Sequence, residues 1–290
     1  MLQVARLAPK LLGSATENIE GFIRSRQADD GGFCNRVGES DLYYTIFAIG
    51  CLQALQVEVD MEKHRSYLAT LPPPDNLDFV HLASLARAWS VLPEGASMPL
   101  RDQILHHLEK YRAEDGGYHN AMEKAPSGSA YGSFLALGTY QDLGRTIPEL
   151  YRYIDCLHSL ILPDGSFANG RGISAGLTTT TAGAVATLHN LEQPIPATTK
   201  DWLFSRFYPT NGGFFAADGA PVPDLLSTAT ALHALVTLQA DLSPIKEATL
   251  DFLDSLWSSK GGFHGNWTDE DLDPEYTYYG LLSLGHLALA

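Results

Sequence analysis

The sequence predicts an all-α fold, twelve helices in six hairpins closed into an (α/α)6 barrel, and three observations predict it. A glycine-aromatic signature recurs five times, as Gly31-Gly32-Phe33, Gly116-Gly117-Tyr118, Gly165-Ser166-Phe167, Gly212-Gly213-Phe214 and Gly261-Gly262-Phe263. Successive first glycines are 85, 49, 47 and 49 residues apart. That describes six units, one without its signature, and a period in this range marks a repeat array whose units bury their apolar faces against one another. Next, the segments alternate in character. Amphipathic stretches precede the signatures, and stretches that are apolar nearly all round follow them, which suits helices buried on both sides. Last, the second kind of segment is rich in small residues, as in Thr178 to Ala184 and Thr228 to Ala231. An open solenoid, the alternative, would leave both helices of a pair a polar face.

The outer helices are expected near 17–27, 61–70, 98–113, 146–160, 197–207 and 243–257, and the inner ones near 41–55, 78–91, 128–140, 174–190, 224–239 and 273–289. The last unit shows the logic. Ser243 is a candidate N-cap with Pro244 at the first helical position. Ile245, Ala248, Leu250, Phe252, Leu253, Leu256 and Trp257 have amphipathic helical spacing. Gly261-Gly262 ends that helix, as glycine does where the chain turns with positive φ. After a polar loop, Asp273 caps the inner helix with Pro274 in its first turn. In the second unit Pro72-Pro73-Pro74 replaces the glycines. The longest polar stretch, 114–129, serves as one repeat loop. Residues 1–290 therefore read as a single domain.

The formal net charge is −15, from 34 acidic against 19 basic residues, which argues against nucleic acid and anionic membranes as partners. No apolar run reaches the ~18 residues of a membrane span, and the first residues lack a signal-peptide pattern. Cys34, Cys51 and Cys156 are odd in number and widely spaced, which suggests reduced thiols and a cytoplasmic setting.

Asp41, Asp224 and Asp273 occupy one place in three units, where helix capping is the simplest role. Glu275 beside Asp273 leaves a chemical role open there. Tyr43, Tyr44, Phe47, Trp89, Tyr131, Phe134, Tyr276, Tyr278 and Tyr279 fall on inner helices, either packing the core or facing the barrel axis. His81, His119, His233 and His264 show no partner spacing. Asp269-Glu270-Asp271 reads as a solvated loop. There is no phosphate-binding glycine loop and no recognisable nucleophile–histidine order.

The glycine-aromatic signature, the polar loop and the following Asp-x-x-x-Thr helix resemble the prenyltransferase and squalene-cyclase repeat superfamily over about residues 17–290. The last two units, Gly212-Gly213-Phe214 to Asp224 and Gly261-Gly262-Phe263 to Asp273-Pro274-Glu275-Tyr276-Thr277, look like the final repeats of protein prenyltransferase β subunits. The resemblance implies an (α/α)6 barrel with an aromatic-lined funnel for an isoprenoid chain, and it is compatible with a helical partner subunit. The family's zinc positions correspond to Asp224, Leu226 and Tyr276, so one ligand of three remains and no metal or other cofactor is expected. Its diphosphate-binding positions fall near Asp218, Pro221 and Ser174, with Arg171 the base left to substitute. Class II terpene cyclases of the same fold protonate an alkene with the central acid of an Asp-x-Asp-Asp-Thr motif. Glu275 stands at that position here, with Asp273 as its orienting partner, and burial is what would keep such a carboxyl protonated. The sequence therefore suggests an enzyme acting on an apolar, isoprenoid-type small molecule. Its substrate contacts would include Tyr44, Phe47, Tyr131, Arg171, Asp224 and Tyr276. The alternative is a ligand-binding or scaffolding barrel without chemistry.

Overall fold

In the computed structural model, which describes residues 1–93 and 100–290, the helices follow the predicted alternation. In chain order they are α1 (Leu2–Ala5), α2 (Pro9–Leu12), α3 (Ala15–Ser25), α4 (Leu42–Ala54), α5 (Met61–Thr70), α6 (Phe79–Ser90), α7 (Arg101–Leu108), α8 (Ala130–Asp142), α9 (Leu150–His158), α10 (Thr178–Asn190), α11 (Thr199–Ser205), α12 (Leu225–Thr237), α13 (Lys246–Leu256) and α14 (Pro274–Leu287). Each predicted helix coincides with an observed one. Residues 98 and 99, the predicted start of the third outer helix, lie outside the described residues. The sequence reading missed α1 and α2.

Contacts group the chain into two compact units, Met1–His64 with Lys200–Ala290, and Arg65–Thr199. In the first unit, α14 packs between α12 and α4, so the last inner helix lies against the first. Helix α1 also packs on α14. Buried Ile19, Ile23, Ile49, Leu52, Phe214, Phe252, Phe263 and Leu281 fill this unit. In the second, α8 packs between α6 and α10 around Phe79, Tyr118, Tyr140, Tyr153 and Phe167.

The outer helices stop before their glycines. Helix α13 ends at Leu256, and a two-residue strand, Trp257–Ser258, comes between it and the signature. The chain then turns and returns as Gly262–Phe263, pairing Trp257 with Phe263. The same antiparallel bridge joins Gln27 to Phe33, Arg112 to Tyr118, Ile161 to Phe167 and Phe207 to Phe214. In the turn, Gly261 has φ +93°, and a side chain there would overlap the carbonyl of Asn18. Only glycine combines that dihedral with that approach.

Each aromatic N–H is then clipped to a hydroxyl on the inner helix. Phe33 donates to Thr45 (2.8 Å), Tyr118 to Ser133 (3.4 Å), Phe167 to Thr181 (3.1 Å), Phe214 to Thr228 (2.9 Å) and Phe263 to Thr277 (3.4 Å). A buried N–H needs such a partner. Ser243 differs from expectation: Ser243–Ile245 is a 3-10 turn, Ser243 bonds to Asp241, and α13 begins at Lys246 without a side-chain cap.

Candidate active site

Residues from the two ends of the chain build the site in the first unit. One side is the hairpin of Phe33–Cys34 and Ser40–Asp41, which leads into α4. The other is the loop before α14. Asp41, Asp224 and Asp273 each cap their helix in extended backbone conformation, accepting from the N–H of Tyr44 (3.0 Å), Ser227 (2.7 Å) and Tyr276 (2.8 Å). Capping is thus real at all three positions, and it sets where each helix begins.

Asp273 does more than cap. It is fully buried, and its second oxygen accepts from Arg36 Nε at 2.6 Å. The other two guanidinium nitrogens donate to Asp269 at 3.1 and 2.8 Å, and Asp271 lies 3.7 Å away. The Asn35 side chain accepts from the N–H groups of Val37 and Glu39, both at 3.0 Å, and so shapes the turn that presents Arg36. The guanidinium also stands 5.3 Å from the ring centre of Tyr276. Burial works against its charge, but the bonds to Asp269 and Asp273 outweigh that and hold it protonated. Asp269, read from sequence as part of a solvated loop, is instead a bidentate ion-pair partner. It also borders a groove of about 340 Å³ lined by Ser255, His264, Asn266 and Trp267, whereas Asp273 is fully buried.

Glu275, in the first turn of α14, accepts a 2.7 Å hydrogen bond from the Tyr43 hydroxyl. Burial pushes its carboxyl up to about 7, and the charge of Asp273 adds to this, while the Tyr43 bond and Arg36 act in the opposite sense. Burial first, then Asp273 and Glu275, raise the Tyr44 phenol. Around these polar groups stand rings from both helices. Tyr43 lies 5.7 Å from Tyr44 and 5.0 Å from Phe47, and Phe47 lies 5.7 Å from Tyr278 and 5.6 Å from Tyr279.

Six of the eight sequence candidates therefore fall in this unit: Tyr44, Phe47, Asp224, Asp273, Glu275 and Tyr276. Tyr131 and Arg171 belong to the second unit. There Tyr131 is exposed near the start of α8, its N–H donating to Asn169, and Arg171 is exposed with Asp115 at 3.7 Å. Sequence reasoning missed Arg36, because its partners lie 233 and 237 residues away. Nor did it pair His233, which meets buried His286 at 3.1 Å across α12 and α14. Of the other histidines, His81 bonds to Asp78, His119 accepts two backbone N–H groups, and His264 meets the Asp271 carbonyl.

The positions that correspond to a zinc site do not fit one. Both Asp224 oxygens are engaged by Ser227, Leu226 has no donor atom, and burial followed by Glu275 pushes the Tyr276 phenol up to about 12. A neutral phenol and one occupied carboxylate make a poor donor set. Among the described residues no group of three or more His, Cys, Asp and Glu side chains is placed to hold a metal ion. Of the phosphate positions, Asp218 is exposed and ion-paired with Arg206.

Comparison with known proteins places these features. The model of the prenyltransferase alpha-alpha toroid domain matches residues 1–75 and 177–288, more than half of the chain, and that stretch contains the whole Arg36–Glu275 cluster. Among solved structures, protein geranylgeranyltransferase-I of Candida albicans, complexed with GGPP, is similar at TM-score 0.69 and 18% identity, over 93% of this chain and 90% of that one. A variant of the type II terpene cyclase MstE from Scytonema, in complex with geranylgeranyl dihydroxybenzoate, gives TM-score 0.65 and 14% identity over 97% of both chains. A possible GH105-family member from Klebsiella pneumoniae gives 0.60 and 13%, over 97% of this chain and 93% of that one. No curated protein matches the chain significantly. At these identities the structural likeness is one of fold, and the predicted all-α toroid is that fold. Among the described residues no helix is long and apolar enough to cross a membrane.

Proposed function

The chain belongs to the prenyltransferase alpha-alpha toroid family, and on that premise we propose that it is an enzyme of terpene-cyclase type, acting on an elongated isoprenoid-like alkene with Glu275 as the acid. One observation carries this reading. A half-buried carboxyl is held by the Tyr43 hydroxyl next to the fixed charge of Asp273, with its pKa raised to about 7. Such a group is protonated in part near neutral pH and is suited to act as a general acid.

In the reaction, the alkene π electrons form a C–H bond with the Glu275 proton. The carboxyl is left as carboxylate, and the neighbouring alkene carbon becomes a cation. Ring faces such as Tyr44 and Phe47 stabilise that positive charge. Intramolecular attack by a second double bond closes a ring, loss of a carbon-bound proton to water ends the sequence, and solvent returns a proton to the Glu275 carboxylate, so the product is an isomer of the substrate. Asp273 orients the acid, and Asp224 and Tyr276 line the same end of the unit. No step needs a metal or a diphosphate leaving group.

The test is incubation with geranylgeraniol and a geranylgeranyl phenol in deuterated buffer, with products read by mass spectrometry. Turnover should place one solvent deuterium on carbon. Because the active form is protonated, the rate should fall as pH rises through about 7. Glu275→Gln should bind the polyene but lose turnover by about 10²–10⁴-fold. A Gln variant as active as the parent refutes the acid role. The second reading is a ligand-binding barrel without chemistry. It is favoured by the loss of the metal donors at Leu226 and Tyr276, and it predicts polyene binding with no deuterium uptake.

A further inference from the structure

Half-buried Glu275 neighbours the fully buried carboxyl of Asp273, and two acids that interact compete for one proton. Something must decide which of them carries it. Asp273 is the deeper of the two, with no exposed side-chain surface; burial foremost, and the charge of Asp269, raise its pKa, while the Tyr276 N–H and Arg36 pull it down without bringing it back to the ordinary carboxylate value. Left to itself it would take up a proton readily. Both of its oxygens, however, accept from groups that cannot act as acceptors in return. One takes the Tyr276 backbone N–H at 2.8 Å, and the other takes Arg36 Nε at 2.6 Å. A proton on either oxygen would weaken the bond that oxygen accepts, and neither partner could accept from the new O–H. Glu275 has a different environment. It accepts from a hydroxyl, that of Tyr43, which can donate to a carboxylate or to the carbonyl oxygen of a carboxylic acid. Among the described residues, the other charged and titratable groups acting on the pair are Tyr44 and buried Cys51 of α4, Tyr276 of α14, and Asp269 in the loop that leads into α14. Asp41 faces Tyr44, and Asp224 faces Tyr276.

We propose, resting on the reading of Glu275 as the acid, that Arg36 is a positioning residue: by holding Asp273 as the anion it leaves Glu275 the one carboxyl of the pair that carries the transferable proton. Arg36 is suited to this because its fork is fixed at both ends. The η nitrogens are tied to Asp269, so the Nε–H is aimed at Asp273 and not free to move to Glu275. The anion so fixed acts on Glu275 through space, disfavouring a second negative charge beside it. One guanidinium thus sorts two like groups into two roles.

The experiment counts protonated carboxyls directly, without turnover. Infrared spectra in the carboxylic C=O region are taken across about pH 5 to about pH 8. The parent protein should show one site carboxyl titrating near neutral pH, and Glu275→Gln should lack it. Arg36→Gln should raise the count from one to two near pH 6, the added band vanishing in the Arg36→Gln, Asp273→Asn double variant. Arg36→Lys, which restores the charge, should return the count to one. An Arg36→Gln spectrum identical to the parent's overturns the proposal. If Arg36→Gln does not fold, carbon-13 NMR of the carboxyls in the parent protein decides. Asp273 must remain anionic while Glu275 takes up its proton, and the reverse order overturns the assignment. If the count behaves as expected but no polyene turns over, the function is wrong while the role of Arg36 stands.

Discussion

Removing His286 should flatten the acid limb of the protein's stability. His286 is 1% exposed, and burial, His233 and the chain's amino terminus lower its pKa from 6.5 to about 3. In the folded state it stays neutral down to that value, whereas the unfolded chain protonates it from about pH 6.5. Between those limits the unfolded state binds the extra proton, so stability rises with pH and is lost as pH falls. The limiting slope for one such group is about 1.4 kcal/mol per pH unit. Integrated from about pH 7 to about pH 5, with little slope above pH 6.5, this amounts to about 2 kcal/mol. Urea denaturation of the parent protein and of His286→Gln at both pH values isolates the contribution. Carboxylates titrate in both proteins and cancel in the difference. The parent should lose about 2 kcal/mol more than the variant over that interval. Parallel losses would refute the reasoning, because His286 would then be protonating equally in both states.

Three further expectations are simpler to check. Gly261→Ala places a side chain at φ +93° against the Asn18 carbonyl; it should cost about 2–4 kcal/mol by denaturation, and a loss under about 0.5 kcal/mol counts against the turn geometry. Thr181→Val keeps the shape but strands the buried Phe167 N–H; a loss of about 1–3 kcal/mol is expected, and a neutral result would mean the clip contributes nothing. Elemental analysis of protein purified without added metal should find well below one zinc per chain, and a stoichiometric amount would show that the ligand positions were wrongly mapped.

What the sequence revealed and what it hid follow one physical line. Features that act within a few residues were legible. Asp41, Asp224 and Asp273 could be read as caps because a cap and its helix are adjacent, and the glycine signatures because they punctuate the turn itself. The bridges between Gln27 and Phe33, or Trp257 and Phe263, were hidden because each ladder is only one or two residue pairs long, too short for alternating polarity to register. Arg36 gave no signal at all. Its role depends on three aspartates at the far end of the chain, and an arginine in a polar turn is otherwise unremarkable. Asp269 looked like a solvated charge for the same reason. His233 and His286 were separated by a repeat length and became a pair only when α12 met α14.

The hydroxyl clips bear on how the molecule comes into being. Each joins residues only 12 to 15 positions apart, so closing one costs little chain entropy, and a corner can form as soon as its own repeat has left the ribosome. The acid site obeys another clock. Tyr43 waits 232 residues for Glu275, and Arg36 waits 237 for Asp273. A nascent chain can therefore accumulate ordered hairpins for most of its synthesis while possessing no acid site, which comes into existence only when the final repeat docks on the first.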